Sequence, residues 1–267
     1  MGTVVTSSDQ FADAFASGPD GILRNGRRRN LKTSERIARD IAAYIVDHRL
    51  PEGARLPREK EMMEMLGVGR MTLREALRLL ETQGVIDIRS GANGGPVIRR
   101  PRPEDLAGTL TLVLQFHDAT LADVMFARQA LEPMIASLAA EHATAAQLEQ
   151  LAETVSRMRQ GTNNPNVVLR ENERFHDLIA EASGSVTLQV FIATLKNIAS
   201  GENVGVEYGA KHGSAIADAH ARIVDALRDR QPQAAHAAMT DHLAEAATYW
   251  QRRYPDLWTR PVRWVQT

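Results

Sequence analysis

The chain has 267 residues, 43% hydrophobic and 24% charged, a composition that can bury a core and that excludes disordered and collagen-like classes. Its length favours two ordinary domains or one large one over a single small module, and the absence of cysteine removes disulfides, thiolate metal sites and cysteine nucleophiles. The net charge of −1 hides an asymmetry: residues 1–21 carry three acids and no base, residues 22–100 carry 17 Lys/Arg against 10 Asp/Glu, and residues 101–267 carry 15 against 20. A basic third joined to an acidic remainder points to a polyanion partner for the first and a separate task for the second. There is no basic start followed by an apolar run, and no stretch near the ~18 apolar residues of a membrane span. The expectation is a cytoplasmic protein with no membrane partner.

Residues 1–30 lack sustained periodicity and read as a flexible arm ending in Arg27-Arg28-Arg29. Ile37, Ile41, Tyr44 and Ile45 then form the apolar stripe of a first helix, with Thr33 and Ser34 as its expected caps. Leu50-Pro51-Glu52-Gly53 breaks it. A second helix opens at Leu56-Pro57-Arg58-Glu59 and contains Met62, Met63 and Leu66; Gly67-Val68-Gly69 ends it, and a third runs from Arg70 to Gln83 with Leu73, Ala76, Leu77 and Leu80 on its apolar face. Two helices joined by a tight glycine-containing turn spell helix-turn-helix. After Gly84 the period alternates: Val85–Arg89 is a predicted strand, Gly91–Gly95 a hairpin turn and Val97–Arg99 the returning strand, together a wing. The third helix can present Arg70, Thr72 and Arg74 to a major groove, where an arginine donates bidentately to guanine, while Arg58, Lys60 and the wing meet phosphates. The glycine-rich turn lacks the Lys-Ser/Thr continuation and following helix of a phosphate-cradling loop. Residues 31–100 therefore form the predicted DNA-binding domain, and the linker falls at Arg99-Arg100-Pro101-Arg102-Pro103.

This stretch resembles the winged helix-turn-helix domain of the GntR family of bacterial regulators, through LPEGARLP, GVGRMTLREALRLL and GVI. The resemblance implies DNA contacts from Arg58, Lys60, Arg70, Thr72 and Arg74, with the wing around Gly91 at the minor groove. Arg58 stands where the family has a small polar residue, and Met71 where Thr or Ser is common, so the operator sequence does not carry over.

From residue 103 to 250 helical stripes follow one another, about seven in all, as in an antiparallel bundle. His176, His220 and His242 lie on faces that also carry apolar residues. His220 lies 11 residues before residue 231 in the Asp229–Pro232 turn and His242 lies 11 after it. At about 1.5 Å per residue both sit about 16 Å from that turn and can face each other. Asn172, one turn before His176, brings an amide oxygen to the same face. Three imidazoles and an oxygen suit a divalent Zn, Ni, Fe or Mn ion. Arg128 lies on an apolar stripe and needs a partner, either Glu132 four residues on or a ligand. His142, His212 and His236 lack such pairing and read as solvated. Tyr254, Trp258 and Trp264, in the tail of residues 251–267, read as packing on the bundle or on a partner subunit.

This second segment resembles the FCD effector-binding domain of the FadR branch of the same family, through ARQALEP, NERFH, HARIVDAL and AMTDHL. The resemblance implies a metal site of one Asp and three His, with Asn172 here in the Asp position, and a role for Arg128 in binding an effector carboxylate. The expected protein is mainly α-helical, a homodimeric DNA-binding regulator, more readily a repressor, that reads a palindromic operator and responds to a small organic acid at the metal. A metal-dependent hydrolase or oxygenase with an accessory DNA-binding domain is the alternative, although Glu173 and Asp177 point about 100° away from His176 on the helix wheel and offer no convincing general base. A purely architectural DNA-binding protein is a third reading.

Overall fold

In the computed structural model, residues 32–91, 94–199 and 205–264 are described; the predicted arm at 1–30, the turn residues 92 and 93 and the last three residues of the tail lie outside them. They form two compact units, one ending at Asp105 and the other beginning at Leu106. Among the described residues there are eleven helices and one two-stranded sheet, and no helix is long and apolar enough to cross a membrane.

In the first unit α1 (Thr33–Asp47) buries Ile37, Ala38, Ile41, Tyr44 and Ile45, the period-3.6 stripe read from the sequence. Its cap differs from the expectation. Lys32 is the N-cap and makes no side-chain cap hydrogen bond, while Thr33 lies inside the first turn and Ser34 is buried. Helix α2 (Glu59–Leu66) ends at Gly67, whose φ of 63° is the left-handed conformation glycine adopts at no steric cost. Helix α3 (Arg70–Thr82) packs Leu73, Ala76, Leu77 and Leu80 inward. Strands β1 (Ile86–Arg89) and β2 (Gly95–Ile98) pair antiparallel with Ile86 opposite Ile98, and both isoleucines join α1–α3 in one core. Gly84, between α3 and β1, has φ 68°, and a Cβ there would lie 2.5 Å from Asp105 Oδ2.

Helix α4 (Pro103–Phe116) crosses the divide between the units. The second unit continues with α5 (Leu121–His142), α6 (Ala145–Gln160), α7 (Pro165–Ala182), α8 (Val186–Ile198), α9 (Ala210–Arg228), α10 (Pro232–Arg253) and the single turn α11 (Pro255–Trp258). Helix α5 packs along α10, α9 along α10 and α6, and α6 along α7. Thr120, Thr144, Asn164 and Ser185 cap α5 to α8 through side-chain oxygens, the residue types that satisfy otherwise unpaired first-turn N–H groups. Trp258 sits edge-on to Phe126 and the Tyr254 hydroxyl donates to the Glu207 carbonyl, so these parts of the tail pack on the bundle.

Candidate functional site

The first unit presents α3 by its N-terminal turn. Arg70 and Arg74 are one turn apart and expose 67% and 51% of their side chains, Met71 between them is 80% exposed, and Thr72 is half-buried. Arg58 and Lys60, at the start of α2, are also exposed. Glu59 joins the two helices: its carboxylate accepts from Arg74 Nε at 3.2 and 3.3 Å and lies 3.6 Å from Arg70 Nε. Gly91 is exposed beyond the end of β1 with φ 105°.

The second unit brings three imidazoles together in its core. His176 comes from α7, His220 from α9 and His242 from α10, and all three are buried. His242 Nε2 lies 3.2 Å from His220 Nε2 and 3.3 Å from His176 Nε2. The level argument from the α9–α10 turn therefore holds for His220 and His242. Phe175, beside His176 in sequence, stacks on His220 at 3.7 Å between centroids and fixes that ring.

Behind His176 stands a buried chain of charge. His176 Nδ1 is 2.5 Å from Glu132 Oε2, and Glu132 Oε1 accepts from Arg128 Nε at 2.6 Å. Arg128 thus has the Glu132 partner considered from the sequence, and it also lines the cavity beside the histidines. Burial alone raises the Glu132 carboxyl pKa, yet Arg128 and His176 hold it well below the usual carboxylate range. Glu132 stays ionised and favours a proton on His176 Nδ1, which turns the Nε2 lone pair toward His242. Carboxylates commonly orient metal-binding histidines in this way.

Four ligands arranged tetrahedrally around an ion at 2.0–2.1 Å are about 3.3–3.4 Å apart. The two Nε2 separations match that spacing, and His176, His220 and His242 are the set among the described residues able to hold an ion together. Asn172 lines the cavity, whose volume is about 50 Å³. That space admits an ion and a few ligand atoms and is smaller than the several hundred Å³ of a drug-sized pocket.

Sequence reasoning missed part of this wall. His212, expected in solvent, is half-buried, lines the cavity and stacks on Tyr249 at 3.7 Å. Tyr208 and Trp250 also line it, the indole donating to the Tyr208 hydroxyl at 3.0 Å. His212 lies 19 residues before residue 231 and Tyr249 lies 18 after it, so the hairpin arithmetic that paired His220 with His242 would have found this stack too. The Glu132–His176 contact joins α5 to α7 and has no comparable signature.

Burial and the neighbouring imidazoles push His220 well below its ordinary pKa of 6.5 and His242 to about 3. Both are neutral when folded, whereas the unfolded chain protonates them below about 6.5. Stability from these groups is complete above that pH and is lost as the pH falls toward about 3. In chelator-containing buffer, the urea midpoint followed by tryptophan fluorescence is expected to drop between pH 7.5 and 5. All three tryptophans lie in the second unit. A midpoint constant over that range contradicts the reading.

Comparison with known proteins bears on both units. The family described as "Bacterial regulatory proteins, gntR family" matches residues 33–93, and the FCD domain matches residues 123–245. The chain is 30% identical over 248 residues to the HTH-type transcriptional repressor NanR of Salmonella newport (strain SL254), an alignment covering 90% of this chain and 95% of that one. It belongs to the GntR family. A NanR repressor from Citrobacter rodentium (strain ICC168) is equally similar, with the same coverage. The solved Streptococcus agalactiae GntR structure superposes with a TM-score of 0.65 at 30% identity, covering 80% of this chain and 98% of that one. As a GntR protein with an FCD domain, the chain is a DNA-binding transcriptional regulator and not an enzyme, which sets aside the hydrolase and oxygenase reading.

Proposed function

We propose that this GntR regulator is a repressor whose operator binding is controlled by a small carboxylate bound at a metal in the FCD domain. The boundaries follow the sequence reading: DNA binding by residues 31–100 and effector binding by residues 103–250. The observation that carries the effector half is the convergence of three buried Nε2 atoms at 3.2 and 3.3 Å beside a cavity lined by Arg128 and Asn172.

On the DNA side, Arg70 and Arg74 read guanine edges and Thr72 a base or phosphate. Arg58, Lys60 and the wing at Gly91 contact the backbone. A homodimer places two such helices on a palindromic operator, the arrangement expected of helix-turn-helix dimers. The NanR relatives carry the name repressor, which supports that sign of control.

On the effector side, His176, His220 and His242 would hold a divalent Zn, Ni, Fe or Mn ion, with Asn172 as the oxygen donor. The ion would supply a Lewis-acidic point for a carboxylate. Asn172 brings no charge, so the centre has one negative charge fewer than an aspartate would give it, and an anionic ligand is correspondingly more welcome. Arg128, its Nε engaged by Glu132, still has Nη donors for that anion. Differential affinity of the carboxylate for DNA-competent and DNA-incompetent arrangements would then shift the population between them.

Plasma mass spectrometry on tag-free protein, purified without chelator, is expected to find about one transition metal per chain. Protein that stays metal-free after incubation with zinc or nickel would remove the ion from this account. Independently, no preference for its own upstream DNA over random duplex at ~150 mM salt would sink the operator reading.

A further inference from the structure

We propose that Glu59 is the positioning residue of the DNA-reading surface, holding Arg74 by its Nε and drawing Arg70 to the same side by its charge, so that the Nη end of Arg74 is presented to bases. The inference rests on the DNA-reading role given above to these two arginines.

Glu59 is the first residue of α2, and Arg70 and Arg74 occupy the first two turns of α3. The carboxylate spans the helix-turn-helix to accept from Arg74 Nε at 3.2 and 3.3 Å, and it approaches Arg70 Nε at 3.6 Å. A guanidinium has five N–H donors in a planar fork. With Nε of Arg74 occupied, its Nη1/Nη2 edge remains for the O6 and N7 acceptors of guanine.

A carboxylate in this place also carries a penalty. It sits among the groups that would meet phosphates, so electrostatics alone would favour a neutral residue. A partly exposed ion pair adds little to fold stability, and Glu59 is one-third exposed. What the contact does supply is orientation. Two like charges one helical turn apart repel and sample many rotamers, and a shared counter-charge restricts both to one side. The first turn of α2 is itself favourable for a carboxylate, because its free N–H groups carry partial positive charge.

Positioning predicts opposite changes in two kinds of binding. Full-length wild type and Glu59→Gln would be compared on an operator selected from random duplexes with the wild-type protein, and on a random duplex of equal length. For Glu59→Gln, random-duplex affinity is expected to rise a few-fold, while the operator-to-random ratio falls about tenfold, the scale of one weakened arginine–guanine pair. Glu59→Asp should recover part of the ratio, and in an Arg74→Ala background the Glu59→Gln effect on the ratio should shrink. Circular dichroism melting checks that each variant is folded. An unchanged ratio with folded protein overturns the proposal, as does a parallel rise of both affinities, which would make Glu59 only a repulsive charge. Failure of the wild type itself to prefer any duplex would instead overturn the DNA reading beneath it.

Discussion

The Arg70→Ala/Arg74→Ala variant is expected to bind the selected operator at least thirty-fold more weakly than wild type, because two bidentate guanine contacts at about 1–3 kcal/mol each are removed. Binding to random duplex should fall far less, since the phosphate contacts proposed for Arg58, Lys60 and the wing would be kept. The fold has little reason to change: both side chains are mostly exposed, and the residues that hold α3 in its core are Leu73, Ala76, Leu77 and Leu80. Fluorescence anisotropy on both duplexes, with circular dichroism on the same samples, checks the result. A uniform loss on both duplexes would mean that the two arginines meet phosphates and that sequence is read elsewhere.

Glu132→Ala is expected to destabilise the helical unit by about 3–5 kcal/mol. The loss arises because Arg128 would remain buried with its counter-charge gone, and an uncompensated buried charge costs more than the ion pair itself contributes. Urea unfolding followed by tryptophan fluorescence measures it. The pH dependence has a definite sign. The folded Glu132 pKa is depressed, so the difference between wild type and variant is full above the unfolded value of about 4.3 and shrinks as the pH falls below it. Pairing Glu132→Leu with Arg128→Met removes both charges and should return most of the stability. It should not return the metal affinity proposed for the site, which is expected to stay about 10–100-fold down because nothing then orients His176. Full recovery of metal affinity in the paired variant would show that Glu132 serves packing alone.

Much of this was legible in the residues. Periodicity located α1 to α3 because each presents one apolar stripe to a common core, and the switch from a period of 3.6 to 2 at Gly84 marked the wing. His220 and His242 were legible as a pair because a hairpin turn fixes the level of residues on either side of it, and His176 because it shares a helix face with apolar residues. The caps of α1 were not, since a Thr-Ser pair can end outside or inside the first turn, and the backbone at Lys32 decides which. Glu132 was read only as a neighbour of Arg128. Its second partner lies 44 residues further along the chain, and no local pattern encodes a contact between α5 and α7. His212 was assigned to solvent although its level in the α9–α10 hairpin matches that of Tyr249, the ring it stacks on.

Asp105, in the first turn of α4, accepts from Arg99 at 2.8 and 3.0 Å and from the Arg102 backbone N–H at 2.7 Å, and it leaves no room for a Cβ at Gly84, between α3 and β1. The proline-flanked segment that reads as a linker is therefore tied to the first turn of α4 by the Asp105 carboxylate. Loss of the Asp105 carboxylate would therefore release the Arg99 guanidinium and the Arg102 N–H together, so a single side chain ties off the end of the first unit.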